Sequence, residues 1–155
     1  MYWEFTAEGV NYFELLRDSM PSINPITLTG STNKIFALTL QNTGYTSLNK
    51  LLLINLETIN HPFVTGIYTP GAGTLSIKDF EGDFFFNKNN NKYLLQSDTS
   101  LAGFKINVDT YDLASGLLKG SFSGPVYKVA SLNDFTNASI INITNGNFKA
   151  YIRYQ

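Results

Sequence analysis

The chain contains no cysteine, a single histidine and few charged residues. Without cysteine it can form neither a disulfide nor a thiolate nucleophile, and most zinc sites are excluded as well. The 11 basic residues are scattered and the formal net charge is -1, so the cation cluster that nucleic-acid binding needs is missing. The longest apolar run, residues 51–54, is far shorter than a membrane-spanning helix. These absences leave few chemistries open.

Catalysis by a nucleophile would have to use His61, the only histidine. Pro62 favours extended backbone at His61, so we expect a histidine in a surface connection and not a catalytic base. A carboxylate-based hydrolase would need two converging acids. The densest acidic groups are Asp79, Glu81, Asp83, Asp109 and Asp112. A polar turn between strands at 75–77 and 84–86 explains the first three without a ligand. The sequence therefore predicts no catalytic residue, no metal site and no cofactor.

Neutral polar residues supply most of the polarity of the chain. It has 17 Asn, 15 Thr and 12 Ser, against 12 acidic and 11 basic residues. Asn is favoured in turns and Thr on half-exposed strand faces, so this balance predicts many strands joined by many turns. A length of 155 residues fits one domain, and we expect a single β domain over residues 1–155.

Apolar residues recur with a period of two, which is typical of strands with one buried face. Such faces are Trp3-Phe5-Ala7, Phe36-Leu38-Leu40, Phe84-Phe86, Phe104-Ile106-Val108 and Phe148-Ala150-Ile152-Tyr154. Asn145-Gly146 predicts a hairpin turn, whereas residues 12–18 and 131–135 predict short helical turns. We therefore predict an all-β fold, an antiparallel β-sandwich or flattened barrel of roughly 8–11 short strands with one or two short helical turns.

Aromatic residues make up 14% of the chain, enough for a surface on which sugar rings could stack. By strand parity Tyr111 shares a face with Lys105, and Tyr151 shares one with Lys149, so both tyrosines are predicted to point outward. Tyr45 follows a turn signal. Tyr45, Tyr111 and Tyr151 are therefore the candidate binding residues. The alternative for each is cross-strand packing of a tyrosine on a solvated face.

Three C-terminal segments carry a family resemblance. They are residues 104–112, the Gly-Ser-Phe-Ser-Gly segment at 120–124 and the Ile-Thr-Asn-Gly-Asn-Phe segment at 143–148. In this order they resemble the last strands of small uncharacterised β domains of Bacteroidetes lipoproteins, and residues 66–68 look like the Gly-x-Tyr strand of those domains. The resemblance is clearest over residues 73–152. It implies an export signal and a lipid-anchoring cysteine upstream, an envelope location and no known activity.

The start of the sequence gives a different indication of location. Tyr2-Trp3-Glu4-Phe5, directly after Met1, lacks the basic start and the apolar stretch of a secretion signal. Taken literally, this start predicts a cytoplasmic protein. The competing interpretation is a mature domain in the periplasm or on the outer cell surface, whose leader and lipidated cysteine have been removed.

The leading functional hypothesis is a non-catalytic envelope or surface domain that binds an unknown ligand, either a glycan or another envelope protein. It would meet a membrane only through a lipid anchor. A second hypothesis is a carbohydrate-binding module that uses the outward tyrosines. A third is a structural or adhesin-like subunit that pairs through an exposed strand edge, and the last is the carboxylate-based hydrolase.

Overall fold

The computed structural model describes residues 2–15, 22–23, 25–27, 34–41, 50–59, 64–69, 80–88, 91–95, 103–132, 134–151 and 153–154. Within these ranges the chain forms strands and no helix. The strands are β1 (Tyr2–Ala7), β2 (Val10–Leu15), β3 (Ser22–Ile23), β4 (Pro25–Thr27), β5 (Lys34–Gln41), β6 (Lys50–Ile59), β7 (Gly66–Tyr68), β8 (Phe80–Lys88), β9 (Asn91–Leu94), β10 (Lys105–Asp112), β11 (Leu117–Val129), β12 (Ser139–Tyr151) and β13 (Arg153–Tyr154).

Eleven of these strands form one antiparallel sheet that curls into a half-barrel. Its order is β2-β1-β12-β11-β9-β8-β6-β5-β4, and β10 joins it by pairing with β11 and β7. Strands β3 and β13 form a separate parallel pair. The predicted all-β fold is confirmed, although two facing sheets of a sandwich are not seen among the described strands. The 13 described strands exceed the predicted range because β3, β4, β7 and β13 are only two or three residues long.

The core lies on the inner face of the half-barrel. Inward residues that the alternation predicts are buried wherever their side chains are described: Trp3, Phe5, Ala7, Phe84, Phe86, Phe104, Ile106, Val108, Phe148 and Ala150. Phe5 of β1 packs against two other strands, since the centre of its ring lies 4.9 Å from that of Phe86 in β8 and 5.9 Å from that of Phe122 in β11. Each such ring pair adds about 0.5–1.5 kcal/mol to the gain from burial. Aromatic packing on the inner face therefore holds β1 against β8 and β11.

The predicted hairpin at Asn145-Gly146 is wrong. Both residues lie within β12, where β11 pairs on either side of them through Phe122↔Gly146 and Gly124↔Ile143. One residue of β11 thus faces two of β12, which is a β-bulge, and Asn145 has the left-handed φ of 51° that such a bulge uses. Asn-Gly satisfies a positive φ equally well in a turn and in a bulge, so the dipeptide alone does not distinguish them.

Neither predicted helical turn forms in the described residues. Residues 12–15 belong to β2, and Ser131 and Asp134 form an isolated bridge across a short turn. The helical prediction for residues 16–18 lies outside the described residues. β2 is extended because Glu8 and Gly9, with φ values of 50° and 74°, make a two-residue hairpin turn that returns the chain along β1. Pairing with β1 then overrides the local preference of the segment.

The tip of this β1–β2 hairpin is hydrogen-bonded to β11 and β9. The ammonium group of Lys128 in β11 donates hydrogen bonds of 2.8 and 2.7 Å to the two carboxylate oxygens of Glu8. Tyr93 of β9 donates a third to Glu8, at 3.1 Å. The hydrogen bond from Lys128 lowers the pKa of Glu8, and burial, followed by the hydrogen bond to Glu8, raises the pKa of Tyr93. These contacts fix the hairpin, and with it the surface described next.

Candidate functional site

The outward side chains of β1 lie between those of β2 and β12. Because Trp3 and Phe5 point into the core, the neighbouring Glu4 must point to the opposite side of the sheet, here called the outer face. The strand register places Glu4 directly opposite Phe13 of β2 and Asn147 of β12. Residues opposite each other on paired strands share a face, so all three side chains lie together on the outer face.

A groove of about 270 Å³ opens at this point and is called the outer groove below. Its lining comes from β1, β2 and the bulge in β12: Glu4, Phe5, Thr6, Asn11, Tyr12, Phe13, Asn145 and Asn147. The β12 bulge contributes Asn145, whose side chain is exposed. The groove therefore depends on the β1–β2 hairpin and on the irregularity that interrupts β12.

Two stacked aromatic rings border the outer groove. The rings of Tyr2 and Phe13 are 6.0 Å apart with 25° between their planes. Phe13 is 53% exposed, although a phenylalanine is usually buried. Stacking against Tyr2 limits the orientation of the Phe13 ring, so a flat apolar surface faces solvent beside the polar lining.

The polar groups of the outer groove are held by hydrogen bonds to one another. Asn147 donates from Nδ2 to Glu4 Oε1 at 3.3 Å and to the backbone oxygen of Asn145 at 3.2 Å. Thr6 donates from its hydroxyl to Asn11 Oδ1 at 2.7 Å. These bonds leave further lone pairs on the Glu4 carboxylate and N–H groups on the Asn11 amide. The groove thus offers acceptors and donors in fixed positions next to an apolar ring.

Polar side chains continue from the groove across the outer face. One register row crosses six strands, and its members are Phe13, Glu4, Asn147, Ser121, Asn107 and Ile67. The two ends of the row are apolar and exposed, Phe13 at 53% and Ile67 at 55%. Between them lie a carboxylate, two amides and a hydroxyl. Such a surface suits a ligand rich in hydroxyl groups better than an apolar one.

Two of the three predicted binding tyrosines, Tyr111 and Tyr151, are described, and the structure places them on opposite faces of the sheet. Tyr45 lies outside the described residues. Tyr151 is half-buried on the outer face, where the ammonium group of Lys149 lies 5.8 Å from the centre of its ring. Tyr111 packs against the core, so its predicted outward orientation is wrong. A bulge at Asp109 shifts the parity of β10 and sets Tyr111 opposite the buried Leu118. A binding role for these tyrosines stays a prediction.

The described acidic residues of these groups lie in pairs on two strands, β8 and β10. Glu81 and Asp83 belong to β8, so the polar turn predicted for them is wrong, while Asp79 and His61 lie outside the described residues. Asp112 ends β10 and accepts hydrogen bonds from the Ser115 hydroxyl and the Ala114 N–H. These bonds, that from Ser115 first, lower its pKa. The described residues contain no group of three or more His, Cys, Asp or Glu that could hold a metal ion.

Sequence reasoning missed Phe13, Asn11 and the role of Glu4. The alternation of β1 places Glu4 outward, but residues 12–18 predict a short helical turn and not the strand β2. Without β2 beside β1, nothing indicated that Phe13 and Asn11 would lie next to Glu4. A usable signal was Gly9 between two alternating segments, since Gly is favoured at the second position of a two-residue hairpin turn.

Comparison of the chain with protein-family models, curated proteins and solved structures finds no match. The resemblance to Bacteroidetes lipoprotein domains therefore stays a prediction. In the part of the chain that the structure describes, no helix is long and apolar enough to cross a lipid bilayer.

Proposed function

We propose that this chain is a non-catalytic carbohydrate-binding module and that the outer groove is its ligand site. The observation that carries the proposal is the juxtaposition of the exposed Phe13 ring with the carboxylate of Glu4 and the amides of Asn11 and Asn147. Sugars present an apolar face of C–H groups and an edge of hydroxyl groups. An aromatic ring beside paired hydrogen-bonding side chains complements both features.

The size and openness of the outer groove indicate weak binding of a small part of a glycan. Its volume of about 270 Å³ lies just below the range of about 300–1,000 Å³ that is typical of small-ligand sites. One sugar ring on Phe13, with hydrogen bonds to Glu4 and Asn147, would bury little surface. We expect dissociation constants of roughly 0.1–10 mM, which correspond to a binding free energy of only about 2.7–5.5 kcal/mol.

An envelope location is part of the proposal, and it is supported by the resemblance to lipoprotein domains alone. Many copies of a module that is anchored to one cell surface can bind the same glycan. Weak sites then act together, because a second contact is made at the high effective concentration that the first one creates. The low affinity expected of a single outer groove is compatible with such a role.

The experiment is titration of the purified chain with a panel of neutral oligosaccharides, followed by calorimetry or by NMR shifts of the Asn11 and Asn147 side-chain amides. Phe13→Ala and Glu4→Gln should each weaken binding by about fivefold or more, since the first removes the stacking ring and the second replaces the charged acceptor by a neutral amide. Ile140→Ala is the matched control, because Ile140 is 60% exposed but does not line the groove. Equal binding by Phe13→Ala and the control, or no binding to any sugar, would overturn the proposal.

Tryptophan fluorescence is unsuited to this titration. Trp3, the only tryptophan in the chain, is 1% exposed and lies on the face of β1 opposite the outer groove. A sugar bound at Phe13 would not change its surroundings. Trp3 is instead a probe of the core, so it reports whether each binding variant is still folded.

A second candidate function is self-assembly through the edge of the sheet. Among the described strands β2 pairs only with β1, and Val10 and Phe13 on it are 46% and 53% exposed. An unprotected edge strand can pair with another chain through its backbone. Light scattering distinguishes the two functions. Assembly should be lost in Asn11→Pro, which removes a backbone donor, and kept in Phe13→Ala, whereas a monomer at high concentration contradicts it.

A further inference from the structure

Two lysines lie directly opposite each other on the outer face, beside the outer groove. Lys119 of β11 pairs in register with Lys149 of β12, and Lys149 pairs in turn with Tyr2 of β1. Both side chains point outward, since their neighbours Leu118 and Ala150 are fully buried. The lysine pair is therefore two residues along the strands from the row that contains Glu4 and Asn147, a distance of about 7 Å.

A sheet seldom places like charges in this arrangement without compensation. Directly opposite side chains have β-carbons about 4.5–5.5 Å apart, and like charges there repel. In the described part of the chain neither lysine is within ion-pair distance of a carboxylate. The ammonium group of Lys149 lies over the ring of Tyr151, which orients it but does not neutralise it.

The acids on the same face make their hydrogen bonds with amide groups and not with the lysines. Glu4 accepts its hydrogen bond from Asn147, and the Asp109 carboxylate accepts one from the side chain of Asn107. The outer face thus has a negative group within the groove and a positive pair next to it. A ligand that spans both would place hydroxyl groups at Glu4 and a negative charge at the lysines.

We propose that the lysine pair is an anion-binding subsite and that the glycan recognised by this module is acidic. This inference rests on the proposed function. Two lysine side chains that start from directly opposite positions can both reach the oxygens of one carboxylate or of one sulfate ester, and such charge-assisted hydrogen bonds are the stronger ones. The shared chemistry is a monoanionic oxygen group on a sugar, supplied either by a uronic acid or by a sulfated sugar.

The test compares oligosaccharides that share one backbone but are neutral, uronate-containing or sulfated. The acidic forms should bind about tenfold more tightly than the neutral form at low salt, and this preference should fade as salt is added. The uronate and sulfate arms show which source of the anion fits. Lys119→Gln and Lys149→Gln should each reduce the preference to about threefold or less while leaving neutral-sugar binding unchanged.

Lys105→Gln is the matched control for charge. Lys105 is exposed on the outer face of β10 and pairs with Ser123, so the variant loses the same charge without touching the lysine pair. An acidic preference that Lys105→Gln reduces as much as Lys149→Gln would overturn the inference. So would equal affinity for neutral and acidic forms, or equally tight binding of polyglutamate. Absence of binding to every sugar would instead remove the proposed function itself.

Discussion

The ring of Phe148 in β12 lies over Gly120 of β11 and fills the space that a side chain at Gly120 would need. A β-carbon at Gly120 would come within 2.5 Å of this ring and 2.2 Å of the Asn107 backbone oxygen. The relation is repeated two residues along the same two strands, where the Phe122 ring lies over Gly146. Each glycine of β11 or β12 thus faces a phenylalanine of the other strand, and the absence of a side chain at the glycine leaves room for the buried ring.

Gly120→Ala should therefore destabilise the fold by about 1–3 kcal/mol or more, because the added methyl group meets backbone on one side and a buried ring on the other. Ser121→Ala, one position along on the outer face, should change the free energy of unfolding by less than about 0.5 kcal/mol. Urea denaturation monitored by Trp3 fluorescence measures both values. A Gly120→Ala variant as stable as Ser121→Ala would show that β11 and β12 do not pack this closely.

The inward residues could be predicted from the sequence because burial of one sheet face imposes a two-residue period on any regular strand. Trp3, Phe5, Ile106 and Phe148 follow this rule and are buried. The rule also placed Glu4 on the outer face before any partner strand was known. The two-residue period no longer predicts which face a residue lies on once a bulge interrupts the strand.

The remainder of the candidate site could not be predicted, since it depends on which residue faces which across two strands. Asp109 and Asn145 lie at bulges, where an extra residue on one strand is defined only by the length of its partner. Parity counted along β10 alone therefore placed Tyr111 on the wrong face. Phe13 was missed for a related reason, because its outward position follows from pairing of β2 with β1.

The bulge in β10 makes a testable distinction between two of the predicted binding tyrosines. Tyr111 packs against the core, so Tyr111→Ala should cost about 1–3 kcal/mol of stability, less than a fully buried aromatic residue. Tyr151 lies on the outer face under Lys149, and Tyr151→Ala should cost less than about 1 kcal/mol. Urea denaturation of the two variants measures the difference. Equal losses, or a larger loss at Tyr151, would contradict the parity shift at Asp109.

The contact between Glu8 and Lys128 predicts a specific loss of stability in acid. The folded state lowers the pKa of Glu8 below 4.5, so the unfolded state binds a proton more readily. The stabilisation is then complete above pH 4.5 and lost as the pH falls through the lowered pKa. Because the Glu8 side chain is 39% exposed, solvent screens the ion pair and we expect only about 0.2–1 kcal/mol at pH 7.

A double-mutant cycle isolates this contact from other titrating groups. Glu8→Gln and Lys128→Gln, alone and combined, should give a coupling free energy at pH 7 that disappears once Glu8 is protonated. Unfolding is followed by Trp3 fluorescence between pH 7 and pH 2. A coupling free energy that stays constant down to pH 2 would mean that the contact does not depend on the charge of Glu8.

The proposed anion subsite makes a prediction about stability that is opposite in sign to its effect on binding. Lys119→Gln removes the repulsion between Lys119 and Lys149, so the variant should be more stable by about 0.2–1 kcal/mol at low salt. The gain should vanish near 1 M salt, where the screening length is only about 3 Å. Lys105→Gln, whose cross-strand neighbour is Ser123, should show no gain. Thermal unfolding at two salt concentrations measures these differences. A variant that gains stability while it loses affinity for acidic sugars indicates a lysine retained for its ligand, whereas a loss of both would assign Lys119 a structural role.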